Sequence, residues 1–564
     1  MDDETRLKET KLRLRNLRGG QSLFALSELK IVKNIGYFVD KKGNPLRKLC
    51  SLPCCLREQL LKHLTNIKCR KKDGDLVVLK RHIKALHLLL CPQTKTIELN
   101  GLMSFCPAQL KYCYYTKVLQ MIATLAPNVQ FLEITDGRCE ERSCYITEEM
   151  LTPIKSLSKL KKLRVDSLCI EYNALKTLCR EMPSLRYVDV IIDFYWNTDD
   201  LENDISDFES SFSHLTCFLF SGVILSMLRF EEWLKNLCIR HLPNLRVVHS
   251  LATCNITDIH IGIEEGELPL QPILPPLQES ELRHLSVIVV PGLSELHQNL
   301  PKVTHLKVTP TVFWEQDDLQ IDSLLEFPAI QSLCLQQVPP PQILDRFLDK
   351  YGRNLRALYF AAEYYENLDY DLQLDSVCKS CPNLEKLCLR HLRLLDDFSK
   401  NYYLPKLREL EWAPGRATRG ACLSNILSAP NLEKISLLTQ GDFDFDLSDL
   451  KKVSTLICQG KILRRLTNFK FQLLYCIPLK KTNVEYFKAL SELLKNASAF
   501  LPNLLDLDGN FYFNTESRTP FDKSLTHGEM EAAFESLGGK NLIKFFYAYR
   551  KCTENLEDGI LKIK

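Results

Sequence analysis

One unit recurs along most of this 564-residue chain: Pro-x-Leu-x-x-Leu-x-Leu, with any aliphatic or aromatic residue at the apolar places. It stands at Pro127–Ile134, Pro183–Val190, Pro301–Val308, Pro328–Leu335, Pro382–Leu389, Pro405–Trp412 and Pro430–Leu437. Weaker copies start at Pro92, Pro243 and Pro502. The same apolar spacing without the proline begins at Ser158, Ser213, Arg283, Arg353, Arg464 and Lys540. The 16 copies have a mean period of about 30 residues. A repeat of that length marks a stacked array, because no single unit of that size buries its own apolar face.

Each unit reads as a helix feeding a short strand. In Leu384-Glu-Lys-Leu387-Cys-Leu389 the apolar residues 387 and 389 alternate as a half-buried strand requires. Ahead of the strands the spacing turns helical: Leu175, Leu178 and Met182 fall at i, i+3 and i+7, as do Val118, Ile122 and Leu125. Proline then stops the helix, since it forbids helical continuation and drives its predecessor towards extended geometry.

Lines such as Cys381-Pro-Asn-Leu-Glu-Lys-Leu-Cys-Leu389 resemble the leucine-rich-repeat superfamily, in its ribonuclease-inhibitor-like and cysteine-containing subclasses. The resemblance runs from about Thr94 to Tyr547 and implies an α/β solenoid, with parallel strands on the concave face, helices outside and a helical N-terminal cap. The expected organisation is a charged segment 1–20, a helical cap 21–91, irregular repeats 92–547 and a tail 548–564.

Composition narrows the function. Lys and Arg number 73 against 70 Asp and Glu, a formal charge of +3, so no global basic field points to nucleic acid. The longest strongly apolar charge-free run, Leu215–Leu228, is too short for a membrane helix of ~20 residues, and Met1-Asp-Asp-Glu-Thr5 does not open a signal peptide. Neither nucleic acid nor membrane is an expected partner, and the location expected is cytoplasmic or nuclear. The 22 cysteines are then expected as reduced thiols, most of them buried; Cys378-Lys-Ser-Cys381 has no second pair at zinc spacing. P-loop, dinucleotide, zincin and nucleophile-elbow motifs are absent, so no catalytic residue, cofactor or metal is expected. The basic run at 68–72, with Lys80-Arg81-His82 after it, reads as a solvated loop.

Insertions in a solenoid fall on loops, and loops carry recognition. Three stretches that follow predicted strands are acidic and aromatic together: Asp193-Phe194-Tyr195-Trp196 through Asp199, Asp200, Glu202 and Asp204; Glu363-Tyr364-Tyr365-Glu366 through Asp369, Tyr370 and Asp371; and Asp442-Phe443-Asp444-Phe445-Asp446. Such loops combine contact area with charge steering for a basic peptide, or else are solvated loops whose aromatics tuck under the array.

The first 90 residues lack the repeat. Leu23, Ser27, Ile31 and Ile35 lie four apart and predict one helical stripe; Leu52, Leu56, Leu60 and Leu64 predict another, opened by Pro53. A plain cap over the first repeat accounts for both. The same residues resemble the von Hippel–Lindau box of cullin-RING substrate receptors. Ser22, Leu23 and Ile31 match its elongin-binding half, with Ser27 where Cys is usual, and Leu52-Pro53-Cys-Cys-Leu56 matches its cullin half. Together with leucine-rich repeats this is similar to the Zyg-eleven family, and the resemblance implies a non-enzymatic substrate receptor. Leu23, Ser27 and Ile31 would then seat elongin C, and Leu52, Pro53 and Leu56 a cullin. Leu52-Pro53 with Leu56, Leu60, Leu61 and Leu64 also resembles the opening of an F-box, which would bind Skp1. A ligase box of either kind keeps Leu23 or Ile31, and Leu52 or Leu56, at the surface; a plain cap buries all four.

Overall fold

The computed structural model describes residues 27, 30–40, 49–69, 74–135, 145–193, 205–222, 228–250, 273, 275–289, 296–310, 321–336 and 338–361. It further describes 370–394, 404–414, 423–440, 446–474, 484–514, 543–548 and 559–561. The chain forms two units, the first from 21–285 and 295–303, the second built on 286–294 and 304–564.

The first unit opens with helices α1 (Ile35–Asp40), α2 (Cys54–Asn66) and α3 (Leu76–Leu89). Strand and helix then alternate: β1 (Thr96–Leu99), α4 (Lys111–Leu125), β2 (Phe131–Thr135), α5 (Glu148–Lys155), β3 (Lys162–Glu171) and α6 (Tyr172–Glu181). The series continues through β4 (Tyr187–Asp193), α7 (Ile205–Phe212), β5 (Cys217–Gly222), α8 (Leu228–His241) and β6 (Val247–Ser250). Each strand pairs in parallel with the next from β1 to β6. Beyond them β7 (His284–Val289) begins where His284 faces Val247.

The second unit runs β8 (His305–Pro310), β9 (Ser332–Gln336), β10 (Ala357–Ala361), β11 (Tyr370–Leu372) and β12 (Lys386–Leu394). It continues through β13 (Glu409–Pro414), β14 (Lys434–Gln440), β15 (Asn468–Leu474), β16 (Asp506–Asn514), β17 (Ile543–Ala548) and β18 (Gly559–Leu561). Strands β8, β9, β10 and β12 to β17 form parallel neighbours in that order, β11 adds a short pairing to β12, and β18 turns back antiparallel. Each unit is thus a stretch of leucine-rich-repeat solenoid, and all sixteen sequence copies carry a strand. Tyr370 and Asp371 lie in β11 rather than in the acidic loop that the sequence suggests.

Alternation sets what each strand buries. Leu132 and Ile134, Val188 and Val190, and Phe218 and Phe220 point inward, as do Leu358 and Phe360, Leu387 and Leu389, and Leu410 and Trp412 in the second unit. Aromatic packing fills the first unit, with Phe218 stacked on Phe212 at 5.4 Å and Phe208 at 5.2 Å from Phe212.

Repeats are also stitched by polar groups. The asparagine of each Pro-Asn pair donates its amide to a carbonyl of the preceding repeat: Asn128 to Pro92, Asn244 to Ser213, Asn383 to Arg353, Asn431 to Pro405 and Asn503 to Arg464, all at 2.6–3.0 Å. These bonds satisfy turn carbonyls that the strand ladder leaves open, and so fix the register of neighbouring repeats.

The cap joins the first strand through Gly101, whose N–H donates to the Thr65 carbonyl at 2.7 Å. A Cβ there would lie 2.5 Å from the Ile67 carbonyl oxygen, so only glycine permits the approach. Cap burial keeps Ile35 of the predicted stripe but otherwise runs along a rotated one. Val32, Ile35 and Val39 are buried at i, i+3 and i+7, while Ser27 is exposed and Ile31 half-buried, because a 3.6-residue period rotates a strict four-residue spacing off the contact face. In α2, Leu60, Leu61 and Leu64 are buried and Leu56 is half-buried. Lys80-Arg81-His82 belongs to α3, not to a loop. His82 is buried edge-on to Phe105 at 4.8 Å, and burial lowers its pKa to about 4.

Eight of the cysteines among the described residues are buried, including Cys179 and Cys238. No described helix is long and apolar enough to cross a membrane.

Candidate functional site on the outward strand face

The residues singled out in the N-terminal segment fall in three environments. Leu23 lies outside the described residues. Ser27 and Pro53 are exposed, and Ile31, Leu52 and Leu56 are half-buried, an exposure between the full burial of a plain cap and the open stripe of a ligase box. Pro53 is the N-cap of α2, where its missing N–H costs the helix nothing.

Of the acidic-aromatic stretches, Phe194, Tyr195, Trp196, Tyr364, Tyr365, Glu366, Asp442, Phe443 and Asp444 lie outside the described residues. Asp193 is the last residue of β4 and is buried at 3% exposure. Asp446 caps the helix Leu447–Cys458 by accepting from the Ser448 N–H at 2.7 Å.

The described surface with the most developed chemistry is the outward face of β1 to β4. These are the positions between the apolar places of each repeat. In one row Phe131, Lys162 and Tyr187 face one another across β2, β3 and β4. The Lys162 ammonium stands 5.0 Å from the Phe131 ring centre and 4.0 Å from that of Tyr187. The next row is Glu98, Glu133, Arg164 and Asp189. Arg164 reaches Glu133 at 3.4 Å and Asp189 at 3.2 Å, and Lys62 of α2 lies 3.6 Å from Glu98. Asp166 follows on β3, opposite Thr135.

Burial sets the electrostatics of this face. Desolvation raises the pKa of both Glu133 and Asp189 against the pull of Arg164. The Tyr187 phenol rises to about 12, first by burial and then by the charge of Asp189, to which its hydroxyl donates at 3.5 Å. Four carboxylates against Lys162, Arg164 and Lys62 of α2 leave the face acidic by one charge, with two half-buried aromatics beside them. The sequence held a signal for these residues: all of them occupy the variable places of the repeat, where a strand must point to solvent.

On the corresponding face of the second unit the carboxylates are matched by neighbouring cations. Glu409 lies between Lys386 at 3.4 Å and Lys434 at 2.5 Å, and Arg390 meets Glu411 at 2.6 Å. A polar groove of about 490 Å³ at the entry ends of β9, β10 and β12 is lined by residues such as Gln331, Arg356 and Glu385.

No group of described His, Cys, Asp and Glu side chains has metal-binding geometry. No family model and no curated protein matches the chain. Among solved structures, an internalin from Listeria monocytogenes is similar at 12% identity over 57% of this chain and 78% of its own, with a TM-score of 0.24. At that score the likeness carries no weight, and the fold stands on the strand register of the chain itself.

Proposed function

We propose that this chain is a non-enzymatic protein-recognition scaffold, and that the outward face of β1 to β4 takes a basic segment of its partner. The observation that supports this is the pairing of half-buried aromatics, Phe131 and Tyr187, with four carboxylates that Lys162, Arg164 and Lys62 leave under-neutralised by one charge. Aromatics anchor partners through large rigid contact area, and an acidic surround steers a cationic segment onto them.

The finer part of the proposal concerns the partner on the other side. Ser27, Ile31, Leu52, Pro53 and Leu56 retain exposed or half-buried surface beside the helical cap, and they match the adaptor-binding box described above. In this proposal the cap docks an elongin C and cullin module, making the chain a substrate receptor of a cytoplasmic or nuclear ubiquitin ligase. Affinity purification of the wild type beside Leu52→Ala/Pro53→Ala, with mass spectrometry of the partners, tests it. Elongins and a cullin lost from the variant support the receptor; Skp1 in their place supports the F-box form. A folded wild type that recovers neither leaves the recognition scaffold and removes the ligase role.

A further inference from the structure

The strongest chemical feature outside the strand face is a pair of thiols in the cap. Cys54 is the first residue of α2, and Cys91 follows Leu90, the C-cap of α3. Their Sγ atoms are 3.7 Å apart. The chain brings them together through Arg57, one turn into α2. Its guanidinium donates to the carbonyls of Leu88 and Leu89, each at 3.0 Å, and to that of Leu90. Those are final carbonyls of α3, which no intrahelical N–H satisfies, so Arg57 acts as the C-terminal cap of its neighbour. The start of one helix is thereby held against the end of the other, with the two sulfurs facing.

The two thiols are chemically unequal. Burial pushes Cys54 up to about 11, with Cys91 adding to the effect. Burial also acts to raise Cys91, but the Thr94 hydroxyl at 3.4 Å, the Gln93 backbone amide, the Cys54 thiol and the Arg57 charge outweigh it and leave Cys91 below its ordinary value. Cys91 is therefore the readier of the two to ionise and Cys54 the readier to keep its proton, which is the asymmetry a nucleophilic thiol and its resolving partner require.

We propose that Cys54 and Cys91 form a reversible disulfide when the protein meets hydrogen peroxide. The Cys91 thiolate attacks one peroxide oxygen, breaking the O–O bond and releasing hydroxide, and becomes a sulfenic acid. The Cys54 sulfur then attacks the Cys91 sulfur as its proton leaves, the S–O bond breaks, and the departing hydroxide takes up a proton as water. In sum two thiols lose two electrons and two protons, and one peroxide becomes two waters. Closing from 3.7 Å to a bond of about 2.0 Å needs a movement of roughly 1.7 Å, within reach of a rotamer change and a small shift of the first turn of α2. The bond would lock the start of α2 to the end of α3, beside Leu52, Pro53 and Leu56. Exposed Cys55, the next residue of α2, serves as the internal control.

The test uses the full chain, reduced and then exposed to graded hydrogen peroxide. Remaining thiols are alkylated during acid-quenched unfolding, and trypsin is applied without reductant. Cleavage after Lys48, Arg57, Lys84 and Lys95 releases peptides 49–57 and 85–95. The expected result is equal loss of alkylation at Cys54 and Cys91, with a linked species two hydrogens lighter than the two peptides together. It carries alkylated Cys50 and Cys55, appears at a lower dose than oxidises exposed Cys113, and disappears on adding a phosphine. Cys54→Ser should abolish the link and Cys55→Ser should keep it. The proposal is overturned if Cys54 and Cys91 stay fully alkylatable at doses that oxidise Cys113, if Cys91 links to Cys50 or Cys55 instead, or if Cys91 goes to sulfinic acid without a linked species.

Discussion

Lys162 and Tyr187 face each other across neighbouring parallel strands, with the ammonium 4.0 Å from the ring centre. A cation of the chain itself therefore occupies the aromatic surface that a basic partner would use. The contact is half in solvent, where such a pair contributes about 0.5–1 kcal/mol, so a partner side chain can displace it.

This makes the charge of the face adjustable from both sides. Lys162→Ala frees the two rings and should tighten binding of a basic peptide several-fold. Asp189→Asn removes a carboxylate beside the rings and should weaken it by a similar factor. Both effects should shrink as salt is raised, because screening acts on this part of the interaction. Titration by fluorescence anisotropy at low and high salt checks both.

The pH dependence of the first unit is expected to centre on Glu231 of α8. Its carboxyl is 1% exposed, accepts from the Gly222 N–H, and is pushed up to about 7, chiefly by burial. A carboxyl raised in the folded state binds its proton more tightly there than in the unfolded chain. Its stabilising contribution is thus full below the ordinary value of 4.5 and is lost as pH rises through about 7. Between about pH 5.5 and about pH 8.5 this removes about 2 kcal/mol. Glu231→Gln should flatten that fall, as read by urea unfolding at the two pH values.

Gly101 and Gly460 predict opposite origins for the cost of an added methyl group. At Gly101 the methyl meets the Ile67 carbonyl, so Gly101→Ala should cost about 1–3 kcal/mol by overpacking the cap against the first strand. At Gly460 the surroundings are open but φ is +63°, so Gly460→Ala should cost only the ~1 kcal/mol of left-handed backbone. Thermal melts of the two variants, and of Gly460→Asn as a residue that tolerates the conformation, separate the mechanisms.

The stitch between repeats offers a further test. Asn431→Ala removes its amide from the Pro405 carbonyl and should cost about 1 kcal/mol, whereas Asn431→Asp, which keeps the shape but offers no donor, should cost at least as much. Chemical unfolding of both variants checks this.

The architecture was legible because its cause is periodic. Inward pairs such as Leu387 and Leu389 recur about every 30 residues, and each recurrence became a strand. The asparagine stitches sat in the same lines, in Pro127-Asn128 and Pro430-Asn431, but their partners lie 26–39 residues away and emerge only once neighbouring repeats are in register. The strand face escaped for a related reason. Phe131, Lys162 and Tyr187 are unremarkable singly, and only the parallel register sets them side by side. The cap stripe was only partly right: Ile35 is buried as predicted, but residues spaced strictly by four drift around a helix, so burial passed from Ile31 to Val32 and Val39. Cys54 and Cys91 are 37 residues apart, and nothing local in the sequence announces their meeting.

The most direct test of recognition by the strand face is a peptide-library selection on the full chain, run beside a Tyr187→Ala/Asp189→Asn variant whose folding is confirmed by its melting curve. The account predicts that the wild type enriches segments rich in Lys and Arg, that their affinity falls about tenfold or more in the variant, and that acidic segments are not retained. Enrichment of peptides without positive charge, or basic peptides bound equally by both proteins, would contradict it.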